Sequence, residues 1–545
     1  MINISPDKKR SRMVLFYKTI SVLWVLVLFL FMFITQANAT TYYVAKIGND
    51  SNPGTEVLPW LTVQKSANTL IAGDTVLIKT GIYNEQVIPQ NSGSPGNYIV
   101  YIAYPGDTTT IDGTGISISW AGLIHIFKKS YIKISGLNIK NSMAFGIFMG
   151  NSNHIIIEKN YTYNTYNSGI AAVEPGPNDH IIIDNNEVEL ACNDGHQECI
   201  TVSATDVFEI KNNHIHHSGP GTNGGEGIDA KVGCSNGKIC NNYVHDIISR
   251  LGIYIDAYAN YSHDIDVYQN VVHDCAAGFT VASENGGLLE NVRVYNNIAY
   301  DNRNNGCEVA HWGPGSQHPI KDIKIINNTF YNNGSNTWGG GIFVDNSEAE
   351  NVVIRNNICS ENVFWQIAVR DTPQNLIVDH NLIDGFRGYP GEIYGSDSVV
   401  GDPIFVDSAG ADFHLQESSY AIDAGSFLDA PSFDFDGNPR PQGAGYDIGS
   451  YEYMQEGVAE KYGSYIYPNP CRVYMGHNSI TFNNLVSNDA IKIFDISGKL
   501  VHNSGNISNN AYKWNVGDIS SGIYFYVIKS TDGQRQTSGK ITLIR

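Results

Sequence analysis

The chain has 545 residues, enough for several domains or one long repetitive one. It carries 54 acidic against 34 basic residues, a formal net charge of -20, which argues against a general nucleic-acid binder because that function needs a basic face. Gly, Asn, Ile and Tyr are frequent and long helical patterns are missing, so β structure with many turns is expected.

The first segment reads as a targeting signal. Lys8, Lys9, Arg10, Arg12 and Lys18 precede an apolar run from Val22 to Ile34, and Ala37-Asn38-Ala39 supplies small residues for cleavage. The run is short for a membrane span, so a signal peptide over residues 1–39 is expected, with an uncleaved anchor as the alternative. Export permits disulfides. The eight cysteines form no CxxC pairs. Cys199 and Cys307 fall on inward strand positions and read as core residues, whereas Cys234 and Cys240 flank a short turn and are candidates for pairing.

Residues 40–113 form an opening segment. Tyr42-Tyr-Val44 starts a strand, Gly48 to Gly54 is turn chemistry, and Thr62 to Asn68 is a candidate short helix. Ala72-Gly-Asp-Thr-Val76 then leads into Gly81-Ile-Tyr83. This opening resembles that of secreted right-handed β-helix enzymes, among them family 9 pectate lyases and family 120 glycoside hydrolases.

Residues 114–385 hold an internal repeat. An apolar strand ending in Asn recurs at Asn160, Asn186, Asn213, Asn242, Asn270, Asn297, Asn328, Asn357 and Asn381, with spacings from 24 to 31 residues. Such a period suits one coil of a three-sided solenoid. Asn tolerates left-handed backbone at a tight corner, and Asn side chains stacked at the ~4.8 Å strand spacing can form a ladder. His216-His217, His245-Asp246, His273-Asp274, Tyr300-Asp301, Tyr331-Asn332 and Ser360-Glu361 recur just after the ladder. A metal site has no need of an aromatic on every coil, so these pairs read as turns.

A third column is led mostly by Gly, at Gly146, Gly169, Cys199, Gly227, Gly252, Gly278, Gly306 and Gly341. Alternation puts apolar residues or Cys inward in every copy. The outward residues include Phe148, Thr201, Asp229, Lys231, Tyr254, Asp256, Glu308 and Phe343. Register is strongly fixed, because a slip of one residue would bury Asp229 and Lys231 in the core. The expected fold is therefore all-β, a right-handed parallel β-helix followed by a small β-sandwich-like module.

Residues 386–455 are loop and short-strand material ending in Gly445-Tyr-Asp-Ile-Gly-Ser-Tyr-Glu452, expected to cap the solenoid. A linker over 456–461 leads into residues 462–545. Tyr467-Pro-Asn-Pro470, Ile491 to Lys499, Trp514, Ser521 to Tyr526 and Gly539 to Leu543 mark that module. It resembles the type A C-terminal sorting domain of the type IX secretion system. The resemblance implies export across the outer membrane, contact with that machinery, and release or attachment at the cell surface.

Charge gathers on Gly227-Ile-Asp-Ala-Lys231 and Gly252-Ile-Tyr-Ile-Asp256. Strand spacing puts Lys231 directly beside Asp256 and Asp229 diagonal to it, ~8 Å away between Cα atoms. Glu284 reaches the same face if its strand continues, and Glu308 shares the column of Asp229. The rim adds His196, Glu198, Arg250, His311 and Trp312, which with Tyr254 are candidate substrate contacts. The bland reading is a solvated face with a Lys–Asp pair contributing about 0–1 kcal/mol. Against it, the charge is local, and opposed Lys and carboxylate groups shift one another's pKa as catalytic sites require.

Three functions follow. In a uronate lyase, Lys231 is the base and Asp229 with Asp256 hold Ca²⁺, a hard ion that takes oxygen ligands; this resembles family 9 pectate lyases. In a glycoside hydrolase, Asp256 and Glu284 flank the bond. The two site strands resemble those of family 120 enzymes, which implies a nucleophile at Asp256 and an acid at Ala282, so Glu284 would have to stand in. In a non-catalytic glycan-binding or adhesive protein, Phe148, Tyr254, Trp312 and Phe343 are stacking platforms. Degradation of a polysaccharide by a monomer is expected, with the lyase ahead.

Overall fold

The computed structural model describes residues 39–454 and, beyond them, 465–467, 471–473, 478–483, 485, 489–496, 498–530 and 536–544. The expected signal peptide, Ala39 excepted, and the linker lie outside the described residues.

Three parallel sheets wind around one core. Two have thirteen strands, running from Thr41–Val44 to Ile377–Asp379 and from Gly81–Tyr83 to Val399–Val400. The third has ten, from Gly122–Phe127 to Ile367–Asp371, and is the Gly-led column. Inward side chains stack in files such as Ile147–Ile170–Ile200–Ile228–Ile253–Phe279–Cys307–Ile342, all buried. Burial of such files is the main favourable term, at roughly 25 cal/mol per Å² of apolar surface. The expected helix is present as Val63–Thr69, capped by the Thr62 side chain, which accepts from the Lys65 N–H at 3.1 Å.

The Asn ladder runs unbroken from Asn160 to Asn381. In each step the upper Asn Oδ1 accepts from both the backbone N–H and the Nδ2 of the Asn one coil below, as when Asn270 accepts from Asn242 at 2.9 Å twice. The Nδ2 also reaches a strand carbonyl, Ile210 in the case of Asn242, at 2.9 Å. One expectation is corrected. The left-handed residue is the one before each ladder Asn: Lys159, Asn185, Asn212, Asn241, Gln269, Asn296, Asn327, Asn356 and His380 all have φ between 51° and 58°. The ladder Asn is selected for its amide, not for positive φ. The turn reading of the next column holds, since His217, Asp246, Asp274, Asp301, Asn332 and Glu361 have φ between 49° and 56°. A second buried ladder runs through Asn302, Asn333 and Asn362 and is closed by Gln366.

The eight cysteines are free and buried, so Cys234 and Cys240 do not pair. The Cys234 thiol instead faces the Lys231 carbonyl at 3.2 Å.

The segment expected to cap the solenoid does so only in part. Val399–Val400 extends one sheet, but the chain then turns back along the flank. Gln269, Asn296 and Asn327 donate side-chain hydrogen bonds to the carbonyls of Asp434 and Phe435, Phe433, and Asp447 and Gly449. The left-handed corner exposes these side chains to a strip of backbone that needs donors. Phe413, Phe435 and Tyr451 pack there on Val271 and Ile298.

The C-terminal module has a three-stranded antiparallel sheet and a mostly antiparallel five-stranded one. Its own core includes Ile480, Phe482, Ile493, Trp514, Tyr526 and Ile541.

Candidate active site

Lys231 and Asp256 are register partners, as are Asp229 and Tyr254. Their strands are Ile228–Lys231 and Leu251–Asp256. All four side chains point outward, yet this outward face is covered. Asp229 and Asp256 are each 2 % exposed and Tyr254 4 %, whereas the Lys231 side chain keeps 23 %. A parallel sheet buried on both faces accounts for the near-absence of exposed positions along Leu251–Asp256 and Ala277–Ala282. Apolar clusters flank the site on this face: Phe145, Phe148, Ala171 and Val173 on one side, Phe343, Trp365 and Ala368 on the other. Phe148, Tyr254 and Phe343 are thus buried and are not open platforms; of the four proposed stacking residues, Trp312 is the exposed one, lying on the Tyr254 ring at 5.5 Å.

Lys231 pairs with Glu198, not with its register partner. Its Nζ donates to Glu198 Oε1 and lies 3.5 Å from Asp229 Oδ2. Glu198, expected on the rim, is buried, and Thr201, one strand below Asp229, donates to its Oε2 at 2.8 Å. Asp256 Oδ1 accepts from the Tyr258 and Glu284 N–H groups at 2.6 and 3.3 Å. Glu284 is not on a strand, since that strand ends at Ala282. It joins the site through the loop, where its Oε1 accepts from the Tyr254 hydroxyl at 2.7 Å.

Glu226 is a site residue that the sequence did not single out. It is buried, and Arg250 Nη1 lies 4.0 Å from its Oε1. Arg250 is itself fixed by the carbonyls of Gly221 and Thr222 at 3.0 and 2.5 Å. Glu308 stays apart. It shares the Asp229 column, but Tyr254 and Thr280 intervene, which puts it three strands or about 14 Å away. It senses the Asp345–Arg370 pair instead. His196 is exposed and faces Asn223 at 3.2 Å, and His311 is exposed with its ring against His318.

The electrostatics are lopsided. Glu198, Glu226, Asp229 and Asp256 are buried around one ammonium. Burial pushes Asp256 up to about 7, and the charge of Glu284 adds to this. Burial, then the charge of Glu198, does the same to Glu226, also to about 7. Asp229 is raised well above the usual carboxylate range by burial, with Lys231 opposing and Glu198 and Asp256 reinforcing. Burial alone would depress the Lys231 ammonium, but Glu198 and Asp229 hold it above its ordinary value. One carboxylate oxygen, Asp229 Oδ1, is buried without a hydrogen-bond partner. Buried polar atoms are rarely left so.

That oxygen and the surplus of carboxylates suit a hard cation, which Asp229 and Asp256 would hold. The ligand set is incomplete, because the groupings of three donor atoms within 4.8 Å lie elsewhere among the described residues. Substrate or water oxygens would have to complete it.

Residues 465–543 match the secretion system C-terminal sorting domain, which marks the chain for type IX export to the medium or the cell surface. An uncharacterized protein of Bacillus subtilis (strain 168), YwoF, is 27% identical over 443 residues, covering 70% of this chain and 91% of its own. The solved structure of pectate lyase Pel9A aligns with a TM-score of 0.50 at 16% identity, covering 77% of this chain and 97% of that one. XylC, solved in complex with xylose, aligns equally, with a TM-score of 0.50 at 15% identity over 76% and 99%. Likenesses at this identity carry the fold alone. The model of the Pel9A-like right-handed β-helix region matches residues 42–351, more than half of the sequence, and the chain belongs to that family.

Proposed function

We propose that the protein is an exported polysaccharide lyase that cleaves a uronate-containing glycan by β-elimination. The observation that carries this reading is the set of four buried carboxylates around Lys231, with Asp229 Oδ1 unpartnered. Kinship with a family whose name-bearing structure is a pectate lyase agrees with it.

Lys231 is the base. It is the one basic residue at the outward positions of Ile228–Lys231 and Leu251–Asp256 and keeps part of its side chain accessible. Glu198, steadied by Thr201, fixes its position. As long as Glu198 and Asp229 keep it cationic, it cannot accept a proton. Ca²⁺ bound to Asp229 and Asp256 would offset their charge and would neutralise the uronate carboxylate, acidifying the neighbouring C–H. Lys231, once neutral, would take the proton next to the sugar carboxylate; the electron pair would form the C=C bond as the glycosidic C–O bond breaks, and the departing oxygen would take a proton from solvent. The exposed Trp312, stacked on Tyr254, offers a face for a sugar ring.

One observation favours a hydrolase as second reading. Asp256, pushed up to about 7, can hold a proton at neutral pH next to Glu284, whose carboxylate accepts from Tyr254. Those roles are the reverse of the ones that the family 120 resemblance implies. The test compares wild type, Lys231→Ala and Asp256→Asn on uronate polymers and neutral glycans, with and without chelator. The lyase gives an unsaturated, absorbing product that vanishes in Lys231→Ala and in chelator. New reducing ends that survive both but vanish in Asp256→Asn would replace it with the hydrolase. Retention on a glycan without any product would leave only binding.

A further inference from the structure

On the second thirteen-stranded sheet, histidines and carboxylates gather where four successive coils meet. Glu187, His214 and Tyr243 form one outward file, and Glu189, His216, His245 and His273 the next. Further along, the aromatic file continues with Tyr300 and Tyr331 beneath Phe413 of the returning segment. There it is an ordinary packed stack. At Glu187–His217 the composition changes from Tyr and Phe to imidazole and carboxylate.

The rings stack, His216 on His245 at 5.2 Å and His245 on His273 at 5.1 Å, and their nitrogens also meet one another. His214 Nε2 faces His245 Nε2 at 2.7 Å, and His216 Nδ1 faces His217 Nδ1 at 2.6 Å. Each contact works only if one nitrogen carries hydrogen and the other a lone pair. His245 Nδ1 is turned to Asp246 Oδ2 at 2.7 Å. A carboxylate accepts, so it fixes the proton on Nδ1 and leaves the Nε2 lone pair pointing into the cluster, as carboxylates behind metal-bound histidines do. His216 Nε2 lies 3.4 Å from Glu187 Oε1. Donor atoms of Glu187, His214 and His216 all lie within 4.8 Å of one another, and so do those of Glu189, His216 and His217. Glu189 is also engaged by the Tyr161 hydroxyl.

We propose that Glu187, His214 and His216 bind a borderline transition-metal ion such as Zn²⁺, with His245 adjoining as a further imidazole. Two imidazoles and a carboxylate form a common donor set for such ions. Bonds of about 2.0–2.2 Å need donors about 3.3–3.5 Å apart, and His216 Nε2 and Glu187 Oε1 stand at 3.4 Å. The ion would tie coils at the corner from which the loop 218–226 departs, the loop that carries Glu226. The site is separate from the Lys231 cluster and does not depend on the function proposed for it.

The experiment titrates the purified, metal-free full chain with Zn²⁺ by calorimetry and with Co²⁺ by visible absorption. One saturable Zn²⁺ per chain is expected at this site, with the intense visible bands of four-coordinate Co²⁺. His216→Ala and Glu187→Gln should each weaken binding roughly tenfold or more. His180→Ala, which breaks the separate His154–Asp179–His180 grouping, should not affect it. If His216→Ala fails to fold, Glu187→Gln decides, because its side chain is 47% exposed and its loss is tolerable. Absence of saturable binding, or binding that survives Glu187→Gln, overturns the proposal.

Discussion

Replacing Asn242 by Ala tests whether the ladder satisfies buried backbone or merely decorates a corner. Asn242 Oδ1 accepts from the Asn213 N–H and from Asn213 Nδ2, both at 3.0 Å, and its Nδ2 donates to the Ile210 carbonyl at 2.9 Å. Asn242→Ala leaves the Asn213 N–H without an acceptor and takes one donor from Ile210. Asn213 keeps its bond to the Ile183 carbonyl, and the Asn242 N–H keeps Asn270. At about 1–3 kcal/mol for a buried group left unsatisfied, the local loss is roughly 2–4 kcal/mol. A repeat array need not unfold in one step, so the readout must be local. Amide hydrogen exchange at Asn213 should accelerate about 30- to 1,000-fold at that cost. Asn332→Gly is the control, since it removes an exposed bond to Asp301 while keeping the left-handed backbone unstrained, and should change exchange nearby by less than about tenfold. An unchanged rate at Asn213 would refute the idea that side-chain amides hold this corner.

Burial pushes Glu308 up to about 7, above its unfolded value near 4.5. A raised group contributes stability that is fully present below pH 4.5 and is lost as pH rises through 7. Glu308→Gln should therefore match wild type at pH 4 and be more stable at pH 8. The full shift would give about 3 kcal/mol, and partial exposure cuts this to about 1–2. Denaturation at the two pH values measures it, and equal stability differences at both would count against it. Trp312→Ala should raise KM for a polysaccharide substrate about threefold to tenfold with kcat little changed, as loss of one stacking face implies; a fall in kcat alone would argue against that role. Thiol titration should find eight reactive groups in the unreduced, denatured chain and almost none in the native one; fewer in the denatured chain would reveal a disulfide.

The repeating parts of this protein were legible in its sequence. Alternation along each Gly-led strand fixes which residues point inward, and the cost of a one-residue slip fixes the pairing of Lys231 with Asp256 and of Asp229 with Tyr254. The spacing of Asn160 to Asn381 likewise gave the coil length and the ladder. These features are local and periodic, so they leave a pattern. Other features depend on loops, which carry no period. That the outward face is covered, that Lys231 pairs with Glu198, that Glu226 joins the cluster and that Glu284 arrives off-strand are all decided by how loops from different coils fold over one another. The same holds for the left-handed position, which a fixed corner geometry assigns to the residue before the ladder Asn, and for the segment around Phe433, which lies along the flank because the corner side chains there offer donors to its carbonyls. Asp229 shows the division within one residue. Alternation sets its outward direction, whereas its burial and its unpartnered oxygen exist only once the coils above and below are in place.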